Sequence, residues 1–141
     1  MAHAHIDPRD PHPAPAPQLL CDARALTAHA GTTAGALWRL AEPGRQLDAN
    51  LVHLPSGERV DTHVEPDLDV FLFVVDGDGT LGATQGPQAL AEGSVVWLPH
   101  GSARSLAAGE RGMSYLTVHR RRPGMQIRTT PPEPWAAAVP D

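Results

Sequence analysis

Hydrophobic residues occur along the chain in short runs that are separated by turn-forming residues. Glycine, often beside proline, aspartate or glutamate, interrupts the sequence at such short intervals that no long helix fits between the breaks. The runs are rich in β-branched and aromatic residues, which favour strands. They are ALWRL at 36–40, LDANLVHL at 47–54, VFLFVV at 70–75, SVVWL at 94–98 and MSYLTVH at 113–119. This pattern predicts an antiparallel sandwich or a small barrel.

Two segments need a separate interpretation. Residues 19–29 carry leucine and alanine at roughly helical spacing, so they are the helix candidate, although an irregular lead-in to the first strand fits equally well. The Asp-Gly-Asp-Gly stretch at 76–79 resembles the start of a calcium loop, but Thr80 stands where a further ligand is needed and no closing glutamate follows. We therefore predict a hairpin turn there.

Length and composition indicate one domain between two proline-rich ends. A chain of 141 residues is long enough for one domain with a core, and 41% hydrophobic residues exclude a wholly disordered polymer. Residues 1–18 combine proline and histidine with little that a core could bury, which predicts a disordered tail. We expect the domain at 19–130 and a second proline-rich tail at 131–141.

Charge and residue usage exclude several functions. The net charge of -5 argues against nucleic acid as a partner. The chain contains no lysine, so Schiff-base chemistry is excluded, and Cys21 alone cannot form an internal disulfide or a multi-cysteine zinc site. No apolar run approaches the ~18 residues of a membrane span, and the N-terminus lacks the apolar core of a secretory signal. We expect a cytoplasmic protein with no membrane partner.

Two spaced motifs carry a resemblance to a known family. Residues 57–79 read GERVDTHVEPDLDVFLFVVDGDG, and residues 93–104 read GSVVWLPHGSAR. Their glycine, proline and histidine spacing resembles the two motifs of the cupin superfamily, G-x5-H-x-H-x3,4-E-x6-G and G-x5-P-x-G-x2-H-x3-N. The resemblance implies an all-β, single-domain, jelly-roll β-barrel. It also implies an interior pocket where many members hold a transition metal with three histidines and one glutamate.

The sequence departs from these motifs at the metal-ligand positions. His63 occupies its expected place, but the second histidine position is Glu65 and that of the second motif is Arg104. The acid position is ambiguous, because Asp69 fits the spacing from His63 whereas the spacing back from Gly77 leads to a valine. Arginine cannot ligate a metal at ordinary pH.

Two interpretations of the pocket follow. In the first, the pocket has no metal, and Arg104 either pairs with Glu65 or receives an anionic ligand. In the second, His119 replaces the missing histidines, since it shares one strand face with Met113, Tyr115 and Thr117, and a single Fe, Mn, Ni or Zn ion is bound. The metal ligands would then be His63, Glu65, Asp69 and His119.

These interpretations give three functional hypotheses. The first, which we favour, is a cupin-domain protein that binds a small, anionic, carboxylate-bearing molecule inside the barrel. The alternative is a metal-dependent dioxygenase or isomerase that uses the four ligands named above, and a third is a sensor or accessory protein whose barrel is only a scaffold. The predicted ligand-binding residues are His63, Glu65, Arg104, Tyr115, His119 and His53. For His53 and His119, a role as hydrogen-bonded packing residues remains open.

The resemblance also suggests an oligomeric state. Single-domain cupins commonly pair through sheet edges, and an exposed edge strand is a liability for a monomer. We therefore expect a homodimer.

Overall fold

The computed structural model describes residues 14–122. One helix precedes seven strands, in the order α1 Ala23–Ala28, β1 Gly35–Arg39, β2 Leu47–Leu54, β3 Arg59–Val64, β4 Val70–Ala83, β5 Gly86–Ala91, β6 Val95–Leu98 and β7 Ala103–Arg120. The predicted tail at 131–141 and most of that at 1–18 lie outside the described residues. No helix in the described part of the chain has the length and apolar character needed to cross a membrane.

All seven strands join one antiparallel sheet that is folded into two layers. The strand order is β1-β2-β7-β4-β5, with β3 paired to β7 and β6 paired to β4. Strands β4 and β7 have 14 and 18 residues, so each runs through both layers. One layer contains β1, β2, β6, the first half of β4 and the second half of β7, and the other contains β3, β5 and the remaining halves. Among the described strands the hydrogen bonding does not close into a ring.

A single hydrophobic cluster fills the space between the two layers. Leu72 and Tyr115 contribute from one layer, and Leu81 and Leu106 from the other, each of them 5% exposed or less. Alternation along a strand sends every second side chain into this cluster, as the prediction of half-buried strands requires. The predicted all-β jelly-roll architecture is confirmed, although the sheet is open rather than a closed barrel.

The prediction of a hairpin turn at 76–79 is wrong, because these residues belong to β4. The ladder between β4 and β7 shifts register between Val74 and Asp76 and again between Gly77 and Gly79. A Cβ atom at Gly77 would lie 2.1 Å from the carbonyl oxygen of Gly112, so the two strands can cross this closely only where a side chain is absent. Gly77 has a φ of 79°, which is also typical of turns, and the sequence pattern is therefore the same for a turn and for this bulge.

Each of the five predicted strand runs overlaps a strand of the structure. Residues 47–54 coincide with β2, whereas 70–75 and 113–119 cover only the halves of β4 and β7 that lie in one layer. Strands β3 and β5 are not predicted from the sequence, because their segments are rich in polar residues or begin with glycine and proline.

The candidate helix forms over Ala23–Ala28, where the side chain of Asp22 caps it by accepting from the amide of Ala25 at 3.1 Å.

Candidate functional site

Arg104 is the largest fully buried side chain in the described residues, with 1% of its surface exposed. It lies near the start of β7 and pairs in register with His63 of β3 and Ala83 of β4, so these three side chains share the inner face of one layer. Its Nη1 donates to the carbonyl oxygen of Ser102 at 3.2 Å and to the Ser102 hydroxyl at 3.3 Å. The 99–102 turn therefore positions the guanidinium inside the fold, as the sequence predicts for a ligand-position residue.

Arg104 lines a cavity of about 710 Å³ between the edge strands β5 and β6. The apolar wall includes Leu81 and Leu90 from one layer and Leu98 from the other. Neutral polar side chains complete the lining, namely Thr84, Gln85, Gln88, Ser94 and Ser102. Among the described lining residues Arg104 is the one charged side chain, so the cavity offers a cation and no carboxylate.

Glu65 is also buried, with 1% of its surface exposed, and an arginine outside the two motifs contacts it. Its Oε1 contacts Nη2 of Arg122, and its Oε2 accepts from the amides of Asp67 at 2.5 Å and Leu68 at 3.0 Å. In the described residues Arg122 therefore contacts Glu65, a partner that the sequence does not predict. Arg122 follows the last strand and carries no motif signal, so only the fold reveals this pair.

A second, smaller cavity of about 290 Å³ contains Glu65 and His119. It adjoins the ends of β2 and β7, and the ion pair of Arg45 with Asp48 at 2.9 Å also lines it. His119 donates from Nδ1 to the carbonyl oxygen of Arg120 at 2.8 Å. His119 and Glu65 are thus brought near one cavity, whereas Arg104 lines the larger one.

The remaining predicted metal ligands have other partners. Nδ1 of His63 donates to the carbonyl oxygen of Asp61 at 3.0 Å. Asp69 is exposed and accepts from the backbone amide of His100 at 2.9 Å and from its Nδ1 at 2.7 Å. These two hydrogen bonds lower the pKa of the Asp69 carboxyl, and the charge of Arg120 adds a smaller attraction.

Tyr115 and His53 lie on opposite faces of the same layer. Tyr115 is 1% exposed in the hydrophobic cluster, and its burial raises the pKa of the phenol well above its ordinary value. His53 is on the outer face, where Nε2 donates to the carbonyl oxygen of Gly31 at 3.1 Å and Nδ1 contacts the Ser114 hydroxyl at 2.7 Å. This geometry makes His53 a hydrogen-bonded packing residue outside the cavities, which corrects its prediction as a ligand-binding residue.

The donor set does not fit the transition metal that a cupin-type pocket suggests. No group of three potential His, Cys, Asp or Glu ligands exists within residues 14–122. A guanidinium occupies one expected ligand position, and the carboxylate at another is held by Arg122. The structure does not bring His63, Glu65, Asp69 and His119 together as one site.

Comparisons with known proteins agree with this architecture. No protein-family profile matches the chain, and no curated protein matches it. Many solved structures do match, among them proteins described as cupins. A sugar phosphate isomerase of the cupin superfamily from Silicibacter pomeroyi is 24% identical over 56% of this chain, with a TM-score of 0.52, and the chain spans only 53% of that protein.

Two further structures show how far the likeness extends. A Bacillus halodurans protein matches 82% of this chain and 87% of its own at 18% identity, with a TM-score of 0.61. Oxalate decarboxylase from Bacillus subtilis, a protein with Mn(II) centres, matches 55% of this chain and 22% of its own at 20% identity, with a TM-score of 0.50. At this level of identity the likeness concerns the fold. The chain has a cupin-type fold.

Proposed function

We propose that this protein binds a small organic molecule through a carboxylate or another anionic group, in the cavity that Arg104 lines. The observation that carries this proposal is the buried guanidinium in a cavity whose described lining contains no acid. A charge in such surroundings is costly unless an anion or a set of acceptors compensates it, and an arginine fork binds a carboxylate through two parallel hydrogen bonds.

The size and the walls of the cavity support a ligand of ordinary metabolite dimensions. A volume of about 710 Å³ lies within the range of roughly 300–1,000 Å³ that is typical of small-molecule sites. The leucine walls would cover an apolar part of the ligand, and the amides of Gln85 and Gln88 could orient polar groups. Access runs between β5 and β6, two strands that have no neighbour on their outer edge among the described strands.

Metal-dependent catalysis has no comparable support in this chain. Metal-containing and isomerase proteins occur among the fold relatives, but fold alone does not transfer function. The predicted ligands His63 and Asp69 are engaged with Asp61 and His100. We therefore retain ligand binding as the proposal.

A thermal-shift screen of the full chain with mono- and dicarboxylic acids tests the proposal. A ligand at a hundred times its Kd should stabilise the folded state by about 2.7 kcal/mol, which raises Tm in a concentration-dependent way. Arg104→Leu should abolish the shift. Arg111→Leu, which changes an exposed arginine of the same strand, should keep it.

A second variant keeps the test decisive if Arg104→Leu does not fold. Ala83→Phe leaves Arg104 in place but fills the cavity beside it, so it should also remove the shift. Acids that shift none of the proteins, or that shift wild type and Ala83→Phe equally, would show that the anion does not bind in this cavity.

A further inference from the structure

The outer surface of one layer exposes large apolar side chains. Trp97 is 61% exposed, Val95 62% and Phe71 44%. Exposed tryptophan and phenylalanine in adjacent strand positions are unusual on a monomer and are typical of an interaction surface. Val95 and Trp97 also line the larger cavity, so the exposed apolar side chains begin at its rim and continue along the layer to Phe71.

These residues belong to an ordered grid. In one row, Trp97 of β6 is next to Phe71 of β4, which is next to Val118 of β7, which is next to Ala49 of β2. The row beside it contains Val95, Phe73 and Leu116. We call these seven residues the outer apolar face.

A pair of opposite charges borders this face. Val70 pairs in register with His119, so the next residues outward, Asp69 and Arg120, lie at the same end of the neighbouring strands β4 and β7. Both are exposed and both point to the outer side, since they alternate with inward neighbours. The face therefore has an acid just before β4, where it also accepts two hydrogen bonds from His100, and a base at the end of β7.

We infer that the outer apolar face is the contact between two copies of this chain, related by a two-fold axis that runs parallel to the strands between β4 and β7. Such an axis places each β4 opposite the β7 of the partner subunit and each β6 opposite the partner's β2. Phe71 then meets the partner's Val118, and the large Trp97 meets the small Ala49 of the partner subunit. Asp69 meets the partner's Arg120, and the same contact occurs twice.

This self-complementarity is the reason to favour a second copy over an unrelated partner. A two-fold contact requires that residues equally distant from the axis fit one another, and both the size pair and the charge pair do so. The contact uses the face of the sheet, whereas the family resemblance implies its edges. Strand β5 has no residue in this contact, so its side of the larger cavity stays open.

Sedimentation velocity on the full chain, from low to high micromolar concentration, tests the contact. Wild type should associate to a dimer. Phe71→Ser should raise the dimer Kd by at least about tenfold, because it removes a central aromatic contact. Ala49→Trp should raise it similarly by colliding with the partner's Trp97, although it adds apolar surface. Neither position lines the larger cavity, so ligand binding should persist in both variants.

Matched controls distinguish this contact from nonspecific hydrophobic association. Val64→Ser changes a side chain that is 44% exposed on β3, in the other layer, and should leave the Kd within about twofold of wild type. Arg120→Asp and Asp69→Arg should each weaken the dimer, and the double variant should recover part of the loss, because the charges are exchanged.

Three results would overturn the inference. The first is a chain that stays monomeric throughout the concentration range, which would leave the face to another partner or to residues outside 14–122. The second is a dimer that Phe71→Ser and Ala49→Trp leave unchanged. The third is a dimer that strengthens with Ala49→Trp, since only nonspecific hydrophobic association predicts that direction.

Discussion

At the scale of single residues, the contacts of two buried charges, Glu65 and Arg104, decide which cavity each charge lines. Glu65 and Arg104 are equally buried, yet Glu65 is held by Arg122 and two backbone amides, while Arg104 reaches the 99–102 turn and the larger cavity. Two charges that the motif spacing suggests as partners thus line different cavities. Arg104 is thus the charged side chain of the larger cavity, whereas Arg122 contacts the interior acid.

A double-mutant cycle on Glu65 and Arg122 tests this assignment. Each of Glu65→Gln and Arg122→Met should destabilise the protein, and the pair should show a coupling energy of about 1–3 kcal/mol in urea unfolding, because each loss leaves the other group without its buried partner. The matched cycle of Glu65→Gln with Arg104→Met should give a smaller coupling. Equal or reversed couplings would contradict the assignment.

Tyr115 provides a pH-dependent prediction at the same scale. It is the one tyrosine of a chain without lysine, so few other groups titrate between pH 9 and the range of arginine. Burial raises the pKa of its phenol in the folded state, which means that the neutral form stabilises the fold at pH values below the ordinary pKa near 10. That stabilisation is lost as the pH rises from about 10 toward the higher folded-state pKa, since the unfolded chain releases its proton first.

The corresponding measurement is Tm against pH. Wild type should lose stability more steeply above about pH 10 than Tyr115→Phe, and tyrosinate absorbance should appear together with unfolding rather than before it. Tyrosinate that forms in the folded protein near pH 10 would contradict the burial of the phenol.

At the scale of elements, β4 requires glycine where its backbone comes closest to that of β7. Gly77 and Gly57 have nearly the same φ, 79° and 77°, but a Cβ atom at Gly77 would lie 2.1 Å from the Gly112 carbonyl oxygen, whereas at Gly57 no atom lies within 4 Å. Replacing glycine by a larger residue therefore has the same conformational cost at both positions, because the φ angles match. The steric cost differs, because space for a Cβ atom exists only at Gly57.

This pair gives a matched test of the strand crossing. Gly57→Ala should cost about 1–2 kcal/mol of unfolding free energy, which is the cost of the left-handed backbone. Gly77→Ala should cost roughly 1–3 kcal/mol more, because the strands must move apart. Chemical denaturation measures both variants, and similar losses would mean that the close crossing of β4 and β7 does not exist in solution.

At the scale of the whole molecule, the shared strands link the two proposed surfaces. Strand β6 sends Val96 and Leu98 into the fold and presents Val95 and Trp97 outward, so one strand borders both the cavity and the outer apolar face. Strands β4 and β7 continue from one layer into the other, and the hydrophobic cluster includes residues of both layers. The proposed ligand site and the proposed self-contact therefore use the same strands, and Val95 and Trp97 belong to both.

Several features could be predicted from the sequence because their cause is local. The alternation and the turn residues predicted β2 and the inner face of β7, where Met113, Tyr115 and Thr117 are all buried. The spacing of glycine, proline and histidine around His63 and Arg104 predicted the cupin-type fold, and the two residues do face each other across β3 and β7. Backbone preference and motif spacing act over a few residues and are visible in a single sequence.

The remaining features depend on contacts between segments that are distant in sequence. Glycine at 77 favours a turn and a strand crossing equally, and only the approach of Gly112 decides between them. Glu65 finds Arg122 because β7 ends beside the loop after β3, and His53 lies on the outer face because its ring reaches Gly31. The sequence by itself determined five of the seven strands, at least in part, and the fold to which they belong. Tertiary packing decided which charges meet and which faces remain exposed, since those depend on three-dimensional distance and burial.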